Sequence, residues 1–241
     1  MKKLSLILLG LVWVLAGTAN AASITYYLDQ TNDPEGWLPD GTNYAQVTIA
    51  DNGSDIDFTI TLLSPLTSIA DANFGIDNFL FNSTNVLSAA NIIGEPGDWT
   101  TNVDYNPAPP NMSADGFGSF EVRLTAGTRQ NPTLSFSISI AGDSIADYAV
   151  LSSGSVQGNT FFGLHVAGFL DQDPVAPLDP IDIGDPGIGL CYDTDGQGNY
   201  SPGCNILTSG WFGGTSTIPE PSTALLLGAG ILGLAWHGRR R

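Results

Sequence analysis

Basic residues are almost missing from the interior of this chain. Of 241 residues only seven are Lys or Arg, against 24 Asp or Glu, for a formal net charge of −17. Lys2, Lys3, Arg239, Arg240 and Arg241 occupy the extreme ends, so between residues 22 and 217 Arg123 and Arg129 stand against 23 acids. A body of that sign repels phosphate backbones, which excludes nucleic acid as a partner. Histidine is as scarce, with His165 alone in the body and no H-E-x-x-H, so a histidine-based zinc site lacks ligands. No G-x-S-x-G supplies an elbow nucleophile. The two cysteines, Cys191 and Cys204, lack the C-x-x-C spacing of a redox dithiol. No stretch of the body carries apolar helical periodicity over ten residues, which argues against an α-helical core. Charged residues make up 13% and apolar ones 42%, a balance that fits a packed domain and not a disordered acidic tail.

The long apolar runs sit at the two ends. Lys2-Lys3, the run Leu4–Leu15 and the small residues Ala19 and Ala21 are the three parts of a secretory leader, so residues 1–21 are expected to be removed by signal peptidase between Ala21 and Ala22. At the other end Pro219-Glu220-Pro221 precedes an uncharged stretch and Arg239-Arg240-Arg241. The prolines disfavour helix up to Pro221, which places an apolar helix over about residues 222–236. At 1.5 Å per residue that helix is only about 22 Å long, short for a hydrocarbon core of about 30 Å. The terminal arginines would stay cytoplasmic with the body outside. A marginal segment of this kind suits a temporary hold better than a permanent anchor. Gly228-Ala229-Gly230-Ile231-Leu232-Gly233 fits G-x-G-x-x-G, but no strand precedes it and no acid follows it, so it reads as small residues on a membrane helix.

The Pro-Glu-Pro triplet, apolar helix and terminal arginine cluster of residues 218–241 resemble the PEP-CTERM sorting signal of exopolysaccharide-producing bacteria. The resemblance implies cleavage near Pro219, Glu220 and Pro221 by a membrane-embedded exosortase. It further implies an inner-membrane-held intermediate, then release to the cell surface or extracellular matrix. In that reading the triplet is a substrate motif.

Residues 22–217 read as strands. Ile56, Phe58, Ile60 and Leu62 alternate with Asp57, Thr59 and Thr61, and Leu134, Phe136, Ile138 and Ile140 alternate with Ser135, Ser137 and Ser139. Period-2 alternation puts one set in a core and the other in water. Ile24–Leu28, Ala45–Ala50, Phe74–Phe81, Phe117–Leu124, Tyr148–Ser152 and Phe161–Phe169 complete a set of eight expected strands, with a hairpin turn at Asp51-Asn52-Gly53. The expected fold is all-β, an antiparallel, jelly-roll-like β-sandwich flanked by the leader and the membrane helix. Residues 171–190, with Asp173, Asp179, Asp182 and Asp185 spaced by prolines, read as an acidic surface loop. Phe74–Phe79, Asp115–Phe120, Phe162–Ala167 and the closing Ser209–Phe212 also look like blocks of PEP-CTERM β-proteins, a looser resemblance that brings no catalytic residues with it.

Cys191 and Cys204 form an even pair in a chain expected outside the cytoplasm, where one disulfide is the default. Inside the loop they would close, Asp193, Asp195, Gln197 and Asn199 alternate with glycines, an arrangement of oxygens suited to calcium. Counted as an EF-hand loop the pattern fails at position twelve, where Cys204 stands in place of a bidentate Glu. The alternative is an acidic turn tied by the disulfide. His165 lies in an apolar strand and reads as a hydrogen-bonded sheet residue ahead of a general base. Trp37, Tyr44, Trp99, Tyr105 and Trp211 adjoin turn residues, where they plug sheet ends or, in the alternative, stack on sugars. Three sequons begin at Asn82, Asn111 and Asn199.

The expected function is that of an exported, non-catalytic surface or matrix β-sandwich protein processed by an exosortase. The alternative is a calcium-assisted carbohydrate-binding module in contact with exopolysaccharide. A glycan-acting hydrolase using paired acids ranks third.

Overall fold

The computed structural model describes residues 23–33, 38–105, 112–127, 130–170 and 207–218. The expected leader, the expected acidic loop of residues 171–190, both cysteines, the expected calcium ligands and the stretch from Pro219 onward lie outside the described residues, as do Trp37 and Asn111.

The described chain is all-β and antiparallel. One six-stranded sheet holds β1 (Ser23–Leu28), β3 (Ala45–Asp51), β4 (Ile56–Leu62), β6 (Ile92–Ile93), β11 (Thr133–Ile138) and β14 (Ser216–Ile218) in the order β14-β1-β3-β4-β11-β6. The other holds β2 (Gln30–Thr31), β5 (Ala70–Phe81), β7 (Thr100–Val103), β10 (Val122–Thr125), β12 (Phe162–Leu170) and β13 (Leu207–Gly214) in the order β2-β13-β12-β5-β10-β7. A two-stranded hairpin, β8 (Met112–Ala114) with β9 (Gly118–Phe120), stands apart from both. The described helical structure is one turn at Ser64–Thr67 and two 3-10 turns.

The strong alternations land where their period demands. Along β4 Ile56, Phe58, Ile60 and Leu62 are buried, and along β11 Leu134, Phe136 and Ile138 are buried. Their alternates form a polar outer face, in which Thr25, Thr48, Thr59 and Ser135 stand in register across four strands. The inward sets of the two sheets share one core. Phe58 stacks on Phe136 at 4.8 Å and 9° within its own sheet, and reaches Phe81 of the opposite sheet at 5.3 Å. Tyr148 meets Phe58 edge-on at 5.0 Å and closes one end.

Two expected strands differ. Phe117–Leu124 is broken at Glu121, whose N–H donates to the Asn82 side chain at 2.9 Å and not to a ladder, so β9 and β10 join different sheets. Tyr148–Ser152 is not a strand. The Ser144 and Asp147 side chains form a reciprocal capping box over the 3-10 turn Ile145–Tyr148, and Tyr148 is spent as a core plug. Among the described residues the count rises to fourteen, because glycine-rich and very short strands leave no alternation to read.

The described chain crosses between the two sheets at its start (β1, β2, β3), in its middle (β4 to β7 and β10 to β12) and at its end (β13, β14), while β3 and β4, and again β12 and β13, follow each other within one sheet. β3 and β4 stay within one sheet because Asn52–Asp55 makes a tight turn, with Gly53 at φ +94 and the Asn52 side chain accepting from Asp55 N–H at 2.9 Å. A turn that short pairs its strands side by side and cannot carry the chain across the core.

Candidate functional site

Four of the sequence blocks singled out above come together on one sheet and its cover. Phe74–Phe79 lies in β5, Phe162–Ala167 in β12 and Ser209–Phe212 in β13, three neighbouring strands, while Asp115–Phe120 forms the turn and second strand of the β8–β9 hairpin. Gly163 and Gly213 are paired across β12 and β13. A Cβ on Gly163 would meet Phe120 at 3.1 Å, and one on Gly213 would meet Phe117 at 2.9 Å. The glycines therefore let Phe117 and Phe120 lie against the outer face of the sheet, where they bury Leu80 in a second, smaller core with Met112 and Ala114.

Beyond that cover the outer face is polar. The register of β12 on β5 slips between His165 and Val166, which leaves Asp77 as the extra residue of a bulge. Bulges re-aim side chains, and Asp77 here gathers three others. His165 Nδ1 lies 2.9 Å from Asp77 Oδ2, Asn78 Nδ2 donates to the same oxygen at 2.7 Å, and Gln130 Nε2 donates to Oδ1 at 3.4 Å. Thr125 Oγ1 donates to Asn78 Oδ1 at 2.8 Å. The indole of Trp211 flanks His165 with ring centroids 4.8 Å apart. His165 is thus a hydrogen-bonded sheet-face residue, oriented by Asp77 and sheltered by Trp211. The arrangement presents planar amides, a carboxylate and an aromatic ring on a rigid sheet. The signal missed in the sequence is Asp77, because a bulge has no periodicity.

The other aromatics serve the fold. Tyr44 is buried, with its hydroxyl donating to Pro39 O at 3.0 Å, and Trp99 is buried in the same main core cluster. Tyr105 accepts from Leu87 N–H and donates to Asn85 O, stapling the loop after β5. Asn82, the first of the sequon residues, is 5% exposed and spends its side chain on Leu151 O and Glu121 N–H, so it offers no site for a glycan. A recess lined by Thr31, Asp33, Leu38, Pro39, Asp40 and Gln157 has its carboxylates on backbone, Asp40 to Thr31 N–H and Asp33 to Leu38 N–H, both at 2.9 Å. Among the described residues no three His, Cys, Asp or Glu are grouped to hold a metal ion. Cys191, Cys204, Asp193, Asp195, Gln197, Asn199, Ala21, Ala22, Pro219, Glu220 and Pro221 lie outside the described residues.

Burial gives one carboxyl a measurable signature. Desolvation pushes the Glu121 carboxyl above its ordinary 4.5, against a long contact from Ser83 N–H at 3.5 Å. A raised folded value means the fold binds that proton more tightly, so its contribution is present below about 4.5 and lost as pH climbs through the folded value. Glu121→Gln is therefore expected to be more resistant to urea than the parent at neutral pH, with the gap closing at about pH 4. An unchanged gap across that range would show that the carboxyl is not desolvated.

The described fold is an all-β domain whose last strand runs straight into a terminal signal. Residues 217–241 match the PEP-CTERM protein-sorting motif. No curated protein and no solved structure matches the chain. The motif marks an exported protein that an exosortase processes after an intermediate held in the membrane by its C-terminal end. Among the described residues no helix is long and apolar enough to cross a membrane.

Proposed function

We propose that this protein is a non-catalytic β-sandwich component of the bacterial surface or exopolysaccharide matrix, with signal peptidase and exosortase as its processing partners. The observation that carries the reading is the join between the sorting motif of residues 217–241 and a domain whose body His and most of whose described aromatics are already committed to packing and hydrogen bonds. His165, the one imidazole of the body, is spent on a carboxylate partner and an indole. The carboxylates of the recess are spent on backbone N–H groups. The disulfide Cys191–Cys204 belongs to this proposal as the covalent tie expected outside the cytoplasm.

A second reading is favoured by Trp211 beside His165, Asp77 and Asn78. Planar polar groups next to an aromatic ring suit a neutral sugar, and a module of this kind would take exopolysaccharide with calcium at Asp193, Asp195, Gln197 and Asn199. The acidic body makes cation bridges necessary for any anionic polymer.

Intact-mass analysis of the protein from culture medium, with and without a co-expressed exosortase, tests the first reading. The expected product lacks residues 1–21, is trimmed near Pro219-Glu220-Pro221 only when the exosortase is present, and weighs two hydrogens less than the dithiol. Glu220→Ala is expected to leave the tail uncut. Glycan arrays with and without chelator decide between the readings: binding lost on chelation and in Trp211→Ala supports the module, and silence throughout supports the structural role.

A further inference from the structure

We propose that the β1–β14 pairing is a clasp that sets the rate of exosortase processing, because the sorting motif can enter an active site only when β14 peels from the sheet edge. The inference rests on the exosortase reading above and deepens it. β14 is the edge strand of its sheet and pairs antiparallel with β1, Thr25 facing Ile218, Tyr26 facing Thr217 and Tyr27 facing Ser216. The matched sorting motif begins at residue 217, so its first two residues are themselves rungs of that ladder. Pro219 follows Ile218 directly, and a residue with no N–H is where such a ladder stops.

Antiparallel pairing also puts the start of β1 and the end of β14 at the same corner. From Thr25 back to Ala22 is three residues, and from Ile218 forward to Ser222 is four. At no more than about 3.6 Å per residue the sheet edge lies within about 14 Å of the first residue of the expected membrane helix. Pro219-Glu220-Pro221 fills that interval and spans about 10 Å when extended. An enzyme that takes an extended peptide needs backbone on both sides of the bond it breaks. On the tail side the Pro-Glu-Pro triplet, which its prolines keep out of a helix, supplies it. On the domain side the backbone is Ser216–Ile218, whose inner edge β1 already occupies.

Cleavage of a segment that must first open follows the population of the open form when opening is fast. The β14 ladder has three rungs, at the low-stability end of any sheet. The clasp therefore slows processing without forbidding it. It also couples processing to folding, since a domain with β14 unpaired would be cut fastest.

The test is a time course of intact mass for the full chain co-expressed with an exosortase, in four versions. These are the parent; a chain with six Gly/Ser residues inserted between Ile218 and Pro219; Tyr27→Cys/Ser216→Cys with the 27–216 bridge mapped by peptide mass; and the bridged chain with the insert. Tyr27 and Ser216 face each other and lie outside the matched motif. The insert is expected to raise the trimming rate several-fold, and the bridge to lower it about tenfold in the parent. The bridge is expected to change the inserted chain less than about twofold, because the spacer supplies free backbone. Equal rates in all four overturn the clasp while leaving exosortase sorting intact. A bridge that slows both chains equally also overturns it, since access would not be what it alters. No trimming in any version overturns the sorting reading and the clasp with it.

Discussion

Phe58→Ala is expected to cost about 3–5 kcal/mol of folding free energy, the largest loss from any single truncation of this core. Phe58 sits at the centre of β4, 1% exposed, where both sheets and an end plug converge on its ring. It stacks on Phe136, reaches Phe79 at 6.5 Å and Phe81 at 5.3 Å in the facing sheet, and takes the edge of Tyr148 at 5.0 Å. Its neighbours are held by their own ladders and cannot collapse into the void, so the transfer loss and the cavity loss add. Against a total stability of about 5–15 kcal/mol the variant would hold little margin, and its melting temperature should fall by roughly 10 °C or more. Denaturant unfolding checks the figure. Phe58→Leu, which keeps most of the volume, is expected to recover more than half of the loss. A loss under about 1 kcal/mol for the alanine variant would show that the two sheets do not share this core.

Gly214→Ala is expected to be nearly as damaging, at about 3 kcal/mol or more, for a different reason. A methyl at this position would land on the Tyr27 carbonyl oxygen and 2.9 Å from Leu28 Cα. Both are backbone, so neither can rotate away. The contact joins the end of β13 to the end of β1, where the chain crosses from one sheet to the edge of the other before β14. Gly97→Ala is the control: a Cβ there meets nothing within 4 Å and its φ is ordinary, so its effect should stay within about 0.5 kcal/mol. A Gly214→Ala domain that melts with the parent would mean that the β13–β1 approach is looser than described. If the approach is as close as described, the same substitution should loosen β14 and speed exosortase trimming.

Much of the fold was legible because it rests on a local rule. The β4 and β11 alternations sort in and out with a period of two that needs no tertiary information, and both strands lie where that period puts them. The Asp51-Asn52-Gly53 hairpin was legible for the same reason, since Asn and Gly supply the side-chain acceptor and the positive φ the turn needs. Illegible elements lacked a local signature. β13 reads Leu-Thr-Ser-Gly-Trp-Phe-Gly-Gly, and its glycines erase the alternation because the space beside them is taken by tertiary neighbours, Phe169 at Gly210, Phe117 and Thr160 at Gly213, and the Tyr27 backbone at Gly214. Tyr148–Ser152 carried a strand-like composition, but a capping box upstream and the aromatic core claimed Tyr148 first.

Of the candidate site, His165 and Trp211 could be singled out in the chain, whereas Asp77 could not. The residue that orients the imidazole lies 88 positions away and reaches it through a slipped register. Asn82 shows the reverse case: a linear sequon that burial and two side-chain hydrogen bonds withdraw from modification.

The linear order of residues alone carried the sorting motif of this protein and its all-β class. A sorting motif is a short linear pattern, and alternation is a property of neighbours along the chain, so both are legible before folding. The tertiary structure alone decided which strands meet, that Gly163 and Gly213 lie beneath two phenylalanines, that Asp77 stands beside His165, and that β14 closes on β1 at the threshold of the sorting motif. Those are contacts between residues far apart in sequence, selected by how two faces fill one core, and a one-dimensional pattern holds no record of that choice.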